Sequence, residues 1–137
     1  MKGIEQNTTV VMSDWSLKRL KDVVVGDMLV SFVDGVQGES EVTNLTSNDE
    51  TRIHEIYHSM GNLNCGREQL FLTPSGEFSE IHNPSYKLMH YITDSGIEEG
   101  TLLDVTRLPD HEIHTLITIT LENNACIIAD NLLLYTN

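Results

Sequence analysis

A chain of 137 residues has the length of one domain with a single hydrophobic core. Eight lysines and arginines stand against 21 aspartates and glutamates, and the formal net charge of −13 predicts that the chain does not bind nucleic acid. No apolar run approaches the ~20 residues of a membrane span, so we expect no membrane partner. No secretory apolar region follows Met1, which predicts an intracellular chain in which Cys65 and Cys126 are reduced, buried thiols.

The first predicted elements are two strands separated by a turn and a basic segment. Thr9–Val11 is an apolar run rich in β-branched residues, and residues 28–30 form a second apolar run. Between them, residues 13–16 are turn-forming types, and Gly26 and Asp27 break the chain before the second run. This pattern predicts paired strands in a β-domain.

Short apolar runs continue along the chain and predict further strands. Turn-forming residues separate them at positions 33–38, 73–76, 94–96 and 123–124. Runs of this length and spacing are typical of an all-β fold rather than an α/β fold. The further predicted strands are residues 41–45, Leu70–Leu72, residues 86–92, residues 102–105, His114–Leu121, Cys126–Ala129 and Leu132–Tyr135.

Residues 8–32 resemble the opening block of Hint domains, the self-processing modules of inteins and hedgehog proteins. That block reads roughly T-x-V-x-M-x-D-G-S-x-K-x-I-x-D-V-x-V-G-D. The resemblance implies a single Hint-like domain over residues 1–137, with a horseshoe-shaped β-fold whose two ends meet on central strands. The chain resembles in particular the small inteins of phages, and the resemblance is weakest over residues 75–108. The matching positions are Thr8, Val10, Met12, Asp14, Ser16, Lys18, Leu20, Asp22, Val23, Val25, Gly26 and Asp27.

A second matching block spans residues 64–73 and departs from the Hint pattern at its functional positions. In the small inteins it reads like C-S/T-x-x-H-L-F, and its Thr and His polarise the first scissile peptide. Here Gly66 stands at the Ser/Thr position and Gln69 at the His position. Glycine has no hydroxyl group, and glutamine cannot exchange a proton near neutral pH as imidazole does.

The two chain ends depart from the pattern as well. Counting back from Thr8 places Gly3 at the position of the nucleophilic Cys or Ser, and glycine supplies neither a thiol nor a hydroxyl. Hint domains of this kind close with a His-Asn pair. Alignment from Ala129 places Tyr135 and Thr136 on that pair, and alignment from the end places Thr136 and Asn137 on it. Neither alignment restores His-Asn.

The resemblance therefore implies a stand-alone Hint-like domain that does not splice, needs no cofactor and has a structural or protein-binding role. We expect it in the cytoplasm, or in a virion if the gene belongs to a phage. Met1 lies two residues before Gly3 and the chain stops at Asn137, so we also expect no flanking polypeptides to be joined. An alternative is residual autoprocessing beside Asn137 or near Gly3.

A competing motif is His54-Glu55-Ile56-Tyr57-His58, which matches H-E-x-x-H. On a helix this spacing places two zinc ligands one turn apart with the glutamate as general base, so a zinc-dependent peptidase is a second alternative. On a strand the two histidines would lie about 13 Å apart on one face and could not share a zinc ion. We expect the strand and no metal site. His111 and His114 are expected at a loop–strand junction. Candidates for a third zinc ligand are Glu80, His82 and His90.

Overall fold

The computed structural model describes residues 2–83, 87–92 and 96–136. In these residues the secondary structure is almost entirely antiparallel β, and the helical structure is limited to one 3-10 turn at Leu20–Asp22. The strands are β1 (Ile4–Glu5), β2 (Thr9–Val11), β3 (Leu17–Arg19), β4 (Met28–Val33), β5 (Val36–Glu50), β6 (Ile53–His58), β7 (Gly61–Gly66), β8 (Leu70–Leu72), β9 (Phe78–Glu80), β10 (Leu88–Ile92), β11 (Gly96–Gly100), β12 (Leu102–Arg107), β13 (His114–Leu121), β14 (Cys126–Ala129) and β15 (Leu132–Tyr135).

The long strand β5 connects the two halves of the sheet. Its first part pairs with β4 and its second part pairs with β13, so one strand serves both halves. The predicted strand at residues 41–45 is therefore too short. The turn predicted at residues 33–38 is limited to Asp34 and Gly35, because residues 36–38 belong to β5. Only Ser40 and Val42 of β5 are buried, so no hydrophobic pattern in the sequence indicates how long this strand is.

Strands from both ends of the chain meet within the sheet. β14 pairs with β15 on one side, and it also pairs with β2 through Ala129 and Val10. The prediction that Thr9–Val11 and Leu132–Tyr135 lie close together is therefore confirmed. All four residues of β14 and the first three of β15 are buried, which explains why both strands are continuous apolar runs in the sequence.

The buried side chains form two clusters. The larger cluster lies between the two halves of the sheet and includes Leu29, Phe71, Ile127 and Leu134. The smaller cluster lies on the opposite face of β4, β14 and β15, where alternate residues of the same strands point away from the larger one. The buried members of the smaller cluster are Val30, Phe32, Cys126, Ile128 and Leu133.

Most of the predicted strands are confirmed, and those at Leu70–Leu72, His114–Leu121, Cys126–Ala129 and Leu132–Tyr135 have the predicted bounds. The predicted strand at residues 86–92 begins at Leu88 among the described residues, and residue 86 lies outside them. Residues 94 and 95 of the predicted turn at 94–96 also lie outside them, and Gly96 begins β11. In the described part of the chain, no helix is both long and apolar enough to cross a membrane.

Candidate functional site

Gln69 links the two ends of the chain. Its Oε1 accepts a hydrogen bond of 3.0 Å from the backbone N–H of Gly3, and its Nε2 donates one of 2.9 Å to the backbone carbonyl of Tyr135. A further bond of 3.2 Å goes from Nε2 to the carbonyl of Leu70. The residue is 5% exposed. The structure therefore brings together Gly3 and Tyr135, one position from each end that the Hint resemblance singles out, with Gln69 between them.

The side-chain amide of Gln69 suits both of its partners. A backbone N–H can only donate and a backbone carbonyl can only accept, so the amide oxygen must face Gly3 and the NH₂ group must face Tyr135. A histidine at this place could also transfer a proton at neutral pH, whereas the amide only holds its two hydrogen bonds. The amide of Gln69 orients the Lys2–Gly3 peptide, but it is itself neither an acid nor a base near neutral pH.

The backbone at Gly3 has a conformation that side chains rarely adopt. Its φ is +123°, and a Cβ built there would lie 3.0 Å from Cβ of Leu116, 3.2 Å from Oγ1 of Thr118 and 3.4 Å from the carbonyl of Ile117. Both the backbone strain and the crowding oppose any larger residue. The position at which the resemblance expects a nucleophile is therefore closed to a nucleophilic side chain in this conformation.

Gly66 and Thr136 complete the site. The N–H of Gly66 donates to the carbonyl of Gly3 at 3.0 Å, and the N–H of Gln69 donates to the carbonyl of Gly66 at 3.1 Å. Thr136 is 8% exposed, and its hydroxyl donates to the carbonyl of Ala125 at 3.1 Å. The Tyr135 ring stacks on Phe78, with the ring centroids 4.4 Å apart. Asn137, the remaining predicted position, lies outside the described residues.

A small cavity of about 10 Å³ lies between Lys2, Gln69, Thr118 and Thr136. This is about the volume that one water molecule needs. Cys65, the cysteine of the block at residues 64–73, is 1% exposed, and burial raises its pKa to about 12. Its thiolate is therefore not populated at neutral pH. Cys65 and Cys126 are both buried free thiols, as predicted.

The H-E-x-x-H segment is a strand, as predicted. β6 pairs with β7 along one edge and with β12 along the other, so its backbone hydrogen bonds are used between strands. This segment therefore does not form the helix that a zinc peptidase needs. Nδ1 of His54 lies 3.2 Å from the carbonyl of Ile81, whereas His58 contacts other partners. Among the residues that the structure describes, no group of three or more His, Cys, Asp or Glu side chains could hold a metal ion.

His58 belongs to a linear hydrogen-bonded network that the sequence analysis missed. Its Nε2 lies 2.9 Å from Oδ2 of Asp130, and its Nδ1 lies 2.8 Å from Nε2 of His90. When His58 donates to the carboxylate, its Nδ1 accepts from His90, and Nδ1 of His90 is left with a lone pair. That atom is buried without a partner in the described residues. Burial lowers the pKa of His90, and the neighbouring His58 lowers it further.

The sequence marks His90 only as a candidate third zinc ligand. It does not mark Asp130, which lies in the turn between β14 and β15. Asp130 and Asn131 both have positive φ, of 48° and 61°, which is the conformation of a tight hairpin turn. The turn brings the Asp130 carboxylate over β6, and no spacing rule within the sequence predicts that contact.

Gln69→Glu is expected to lower the free energy of unfolding by about 2–3 kcal/mol at neutral pH. One carboxylate oxygen can still accept from Gly3, but the other would face the carbonyl of Tyr135, which also only accepts. Protonation restores a donor, so the pKa of the substituted carboxyl rises and the lost stability returns as the pH falls through it. Urea unfolding at pH 7 and pH 5 measures this. The control Gln37→Glu makes the same change at an exposed position of β5 and should have little effect.

If Gln69→Glu and Gln37→Glu were equally mild at pH 7, Gln69 would not hold the two chain ends together. A large loss for Gln69→Glu that persisted unchanged at pH 5 would also contradict the hydrogen-bond pattern.

Comparison with solved structures identifies the fold. The structure of the DnaB intein from Synechocystis sp. PCC 6803 superposes with a TM-score of 0.85 at 10% identity, over 100% of this chain and 99% of that chain. The gp41-1 intein superposes with a TM-score of 0.77 at 22% identity, over 98% of both chains. A bacterial intein-like domain from Clostridium thermocellum gives 0.83 at 13% identity, over 100% and 99%. No protein-family model and no curated protein matches the chain. The chain therefore has the Hint fold, as its sequence predicts.

Proposed function

We propose that this chain is a Hint-fold domain that does not splice and that serves a structural or protein-binding role. The observation that carries the proposal is the Gln69 bridge, which joins the backbone of Gly3 to the backbone of Tyr135. Both chain ends are held by a group that forms hydrogen bonds but does not transfer protons. The site therefore fits a role in holding the two chain ends together better than a role in cleaving the peptide bonds there.

The chemistry that Hint domains of this kind perform requires a series of groups that these positions lack. A thiol or hydroxyl must attack the first peptide bond, and position 3 is a glycine with positive φ. A hydroxyl and an imidazole must help the amide to leave, and positions 66 and 69 are Gly and Gln. Loss of one such donor typically reduces a rate by about 10²–10³. When such groups act as a unit, replacing one of them does not restore the activity.

Two other functions are less well supported. Residual autoprocessing at either end would need a proton acceptor near Gly3 or near residue 136, and the amide of Gln69 between them neither gives nor accepts a proton near neutral pH. The zinc-dependent peptidase would need His54 and His58 on one helix, and they lie on the strand β6 with different hydrogen-bond partners.

A fusion protein tests the proposal directly. One reporter is fused before Met1 and a second, different reporter after Asn137, and the purified fusion is held for a day at neutral pH with a strong thiol. We expect its intact mass to remain unchanged. A Gly3→Cys version should also stay intact, because Cβ crowding at position 3 and Gln69 both remain.

Release of either reporter from the unmodified fusion would establish autoprocessing and overturn the proposal. Release only from the Gly3→Cys version would show that the remaining site still supports acyl transfer, and that the loss of activity lies in position 3 alone.

A further inference from the structure

A second cavity, away from the Gln69 bridge, has the size and chemistry of a binding site. It has a volume of about 570 Å³ and lies between the β4–β5 turn, the β8–β9 turn and the strands β10 and β11. Phe32 and Cys126 form its floor, and Met89 and Ile97 form one wall. Ligand pockets in proteins have volumes of about 300–1,000 Å³ and are lined mostly by apolar side chains.

The cleft combines an apolar interior with one negative charge at its rim. Most of its lining side chains are hydrophobic, and Val33 and Phe78 at its mouth are 40% and 37% exposed. Asp34 is its single lining carboxylate, and no lysine, arginine or histidine of the described residues lines it. Within the described part of the chain, the ion pairs formed by lysine and arginine go to other carboxylates.

The charge of the cleft and of the whole chain decides what it would bind. At a net charge of −13, a second copy of the chain would be repelled, as would an acidic partner. A basic partner is attracted, and an apolar side chain of that partner gains by leaving water for the cleft. A lysine or arginine beside that side chain would reach the carboxylate of Asp34.

We propose that this cleft binds an apolar side chain of a partner polypeptide, flanked by lysine or arginine that pairs with Asp34. Phe32, Met89 and Ile97 enclose the apolar side chain, and Asp34 selects the flanking charge. The inference rests on the proposed binding role. The cleft and the absence of splicing are tested independently, because the mass test at the chain ends does not involve the cleft.

Two short peptides serve as probes: acetyl-Lys-Phe-Lys-amide and acetyl-Glu-Phe-Glu-amide. Titration is followed by ¹³C-methyl NMR of Met89 and Ile97 in the intact chain. We expect the basic peptide to shift both methyl signals in a saturable way, and the acidic peptide to bind at least tenfold more weakly. Phenethylammonium, a small cation with the same ring, should bind more weakly than the basic peptide.

Asp34→Asn removes the charge and keeps the turn. Asp34 and Gly35 both have positive φ, at 51° and 78°, and Asn-Gly suits such a hairpin turn as well as Asp-Gly does. The variant should weaken binding of the basic peptide about fivefold to tenfold. The control Asp110→Asn changes the net charge equally at a carboxylate whose side chain is 78% exposed and that does not line the cleft. It should leave binding within twofold.

Three results would overturn the inference. These are unshifted methyl signals with both peptides, equal effects of Asp34→Asn and Asp110→Asn, and equal binding of the acidic and basic peptides. Binding of phenethylammonium as tight as that of the basic peptide would identify a small amphipathic cation as the ligand, and would overturn the choice of a polypeptide.

Discussion

Gly100→Ala is expected to lower the free energy of unfolding by about 3 kcal/mol. A Cβ at position 100 would overlap the imidazole ring of His90, at Nδ1 and Cε1. The ring cannot simply move aside, because it is 1% exposed and Nε2 is hydrogen-bonded to His58. The substitution therefore forces either a strained backbone or the loss of a buried hydrogen bond. Urea unfolding, followed by circular dichroism and by the fluorescence of Trp15, measures the loss.

The control for this prediction is Gly38→Ala, because Gly38 also lies in a strand and a Cβ there would meet open space. It should change stability by less than about 1 kcal/mol, and in the stabilising direction. In a His90→Ala background, Gly100→Ala should cost little, since the overlapping ring is gone. An equal cost of Gly100→Ala with and without the His90 ring would contradict the packing described here.

Lowering the pH from 7 to 5 is expected to reduce the free energy of unfolding by about 1–2 kcal/mol. Burial and the neighbouring His58 lower the pKa of His90, while Asp130 acts in the opposite direction. Burial is also the largest cause of the lowered pKa of His54, against the hydrogen bond to Ile81. These rings bind protons below about pH 6.5 in the unfolded chain, and only at lower pH in the folded chain. Acidification therefore favours unfolding in this window, and the effect levels off below the folded pKa values.

The double variant His54→Gln, His90→Gln should largely remove this dependence, measured by urea unfolding at several pH values. The control His111→Gln removes an exposed histidine and should leave the slope unchanged. A slope between pH 7 and 5 that survived in the double variant would assign the effect to other groups.

The carboxylates act in a lower pH window. The hydrogen bond from Lys18 is the main cause of the lowered pKa of Asp27, and the N–H of Arg52 is the main cause for Glu50. Groups with a lowered carboxyl pKa stabilise the fold above their unfolded pKa, near 4, and that stability is lost as the pH falls further. The carboxylates therefore add to the loss of stability only at lower pH than the interval between pH 7 and 5.

The sequence predicts this fold well where a strand is buried on both faces. β14 and β15 are continuous apolar runs, and their bounds follow from the residues alone. β5 shows the limit, because most of its 15 residues are exposed and its partners are distant in sequence. β11 has two glycines and two glutamates, Glu98 and Glu99, and it is a strand only because β10 pairs with all of it.

The candidate site could be predicted in part. The likeness to Hint domains singled out Gly3, Gln69 and Tyr135, and the structure joins these three through one side-chain amide. The hydrogen bonds of that amide depend on the geometry of two backbones that are 66 positions from it on either side, and no local pattern encodes them. The His58–His90 contact is of the same kind, since its two rings come from strands that pair with different neighbours.

The pairing of the first strands with the last ones has a consequence for synthesis on the ribosome. β1 pairs with β13, and β2 pairs with β14, so both early strands need partners made after residue 113. Until those partners emerge, β2 can pair only with β3, and β1 can pair only with β7, through Ile4 and Cys65. Contacts of such long sequence separation form slowly, and unpaired strand edges invite association. The part of the chain that is made first is therefore among the last to be structured.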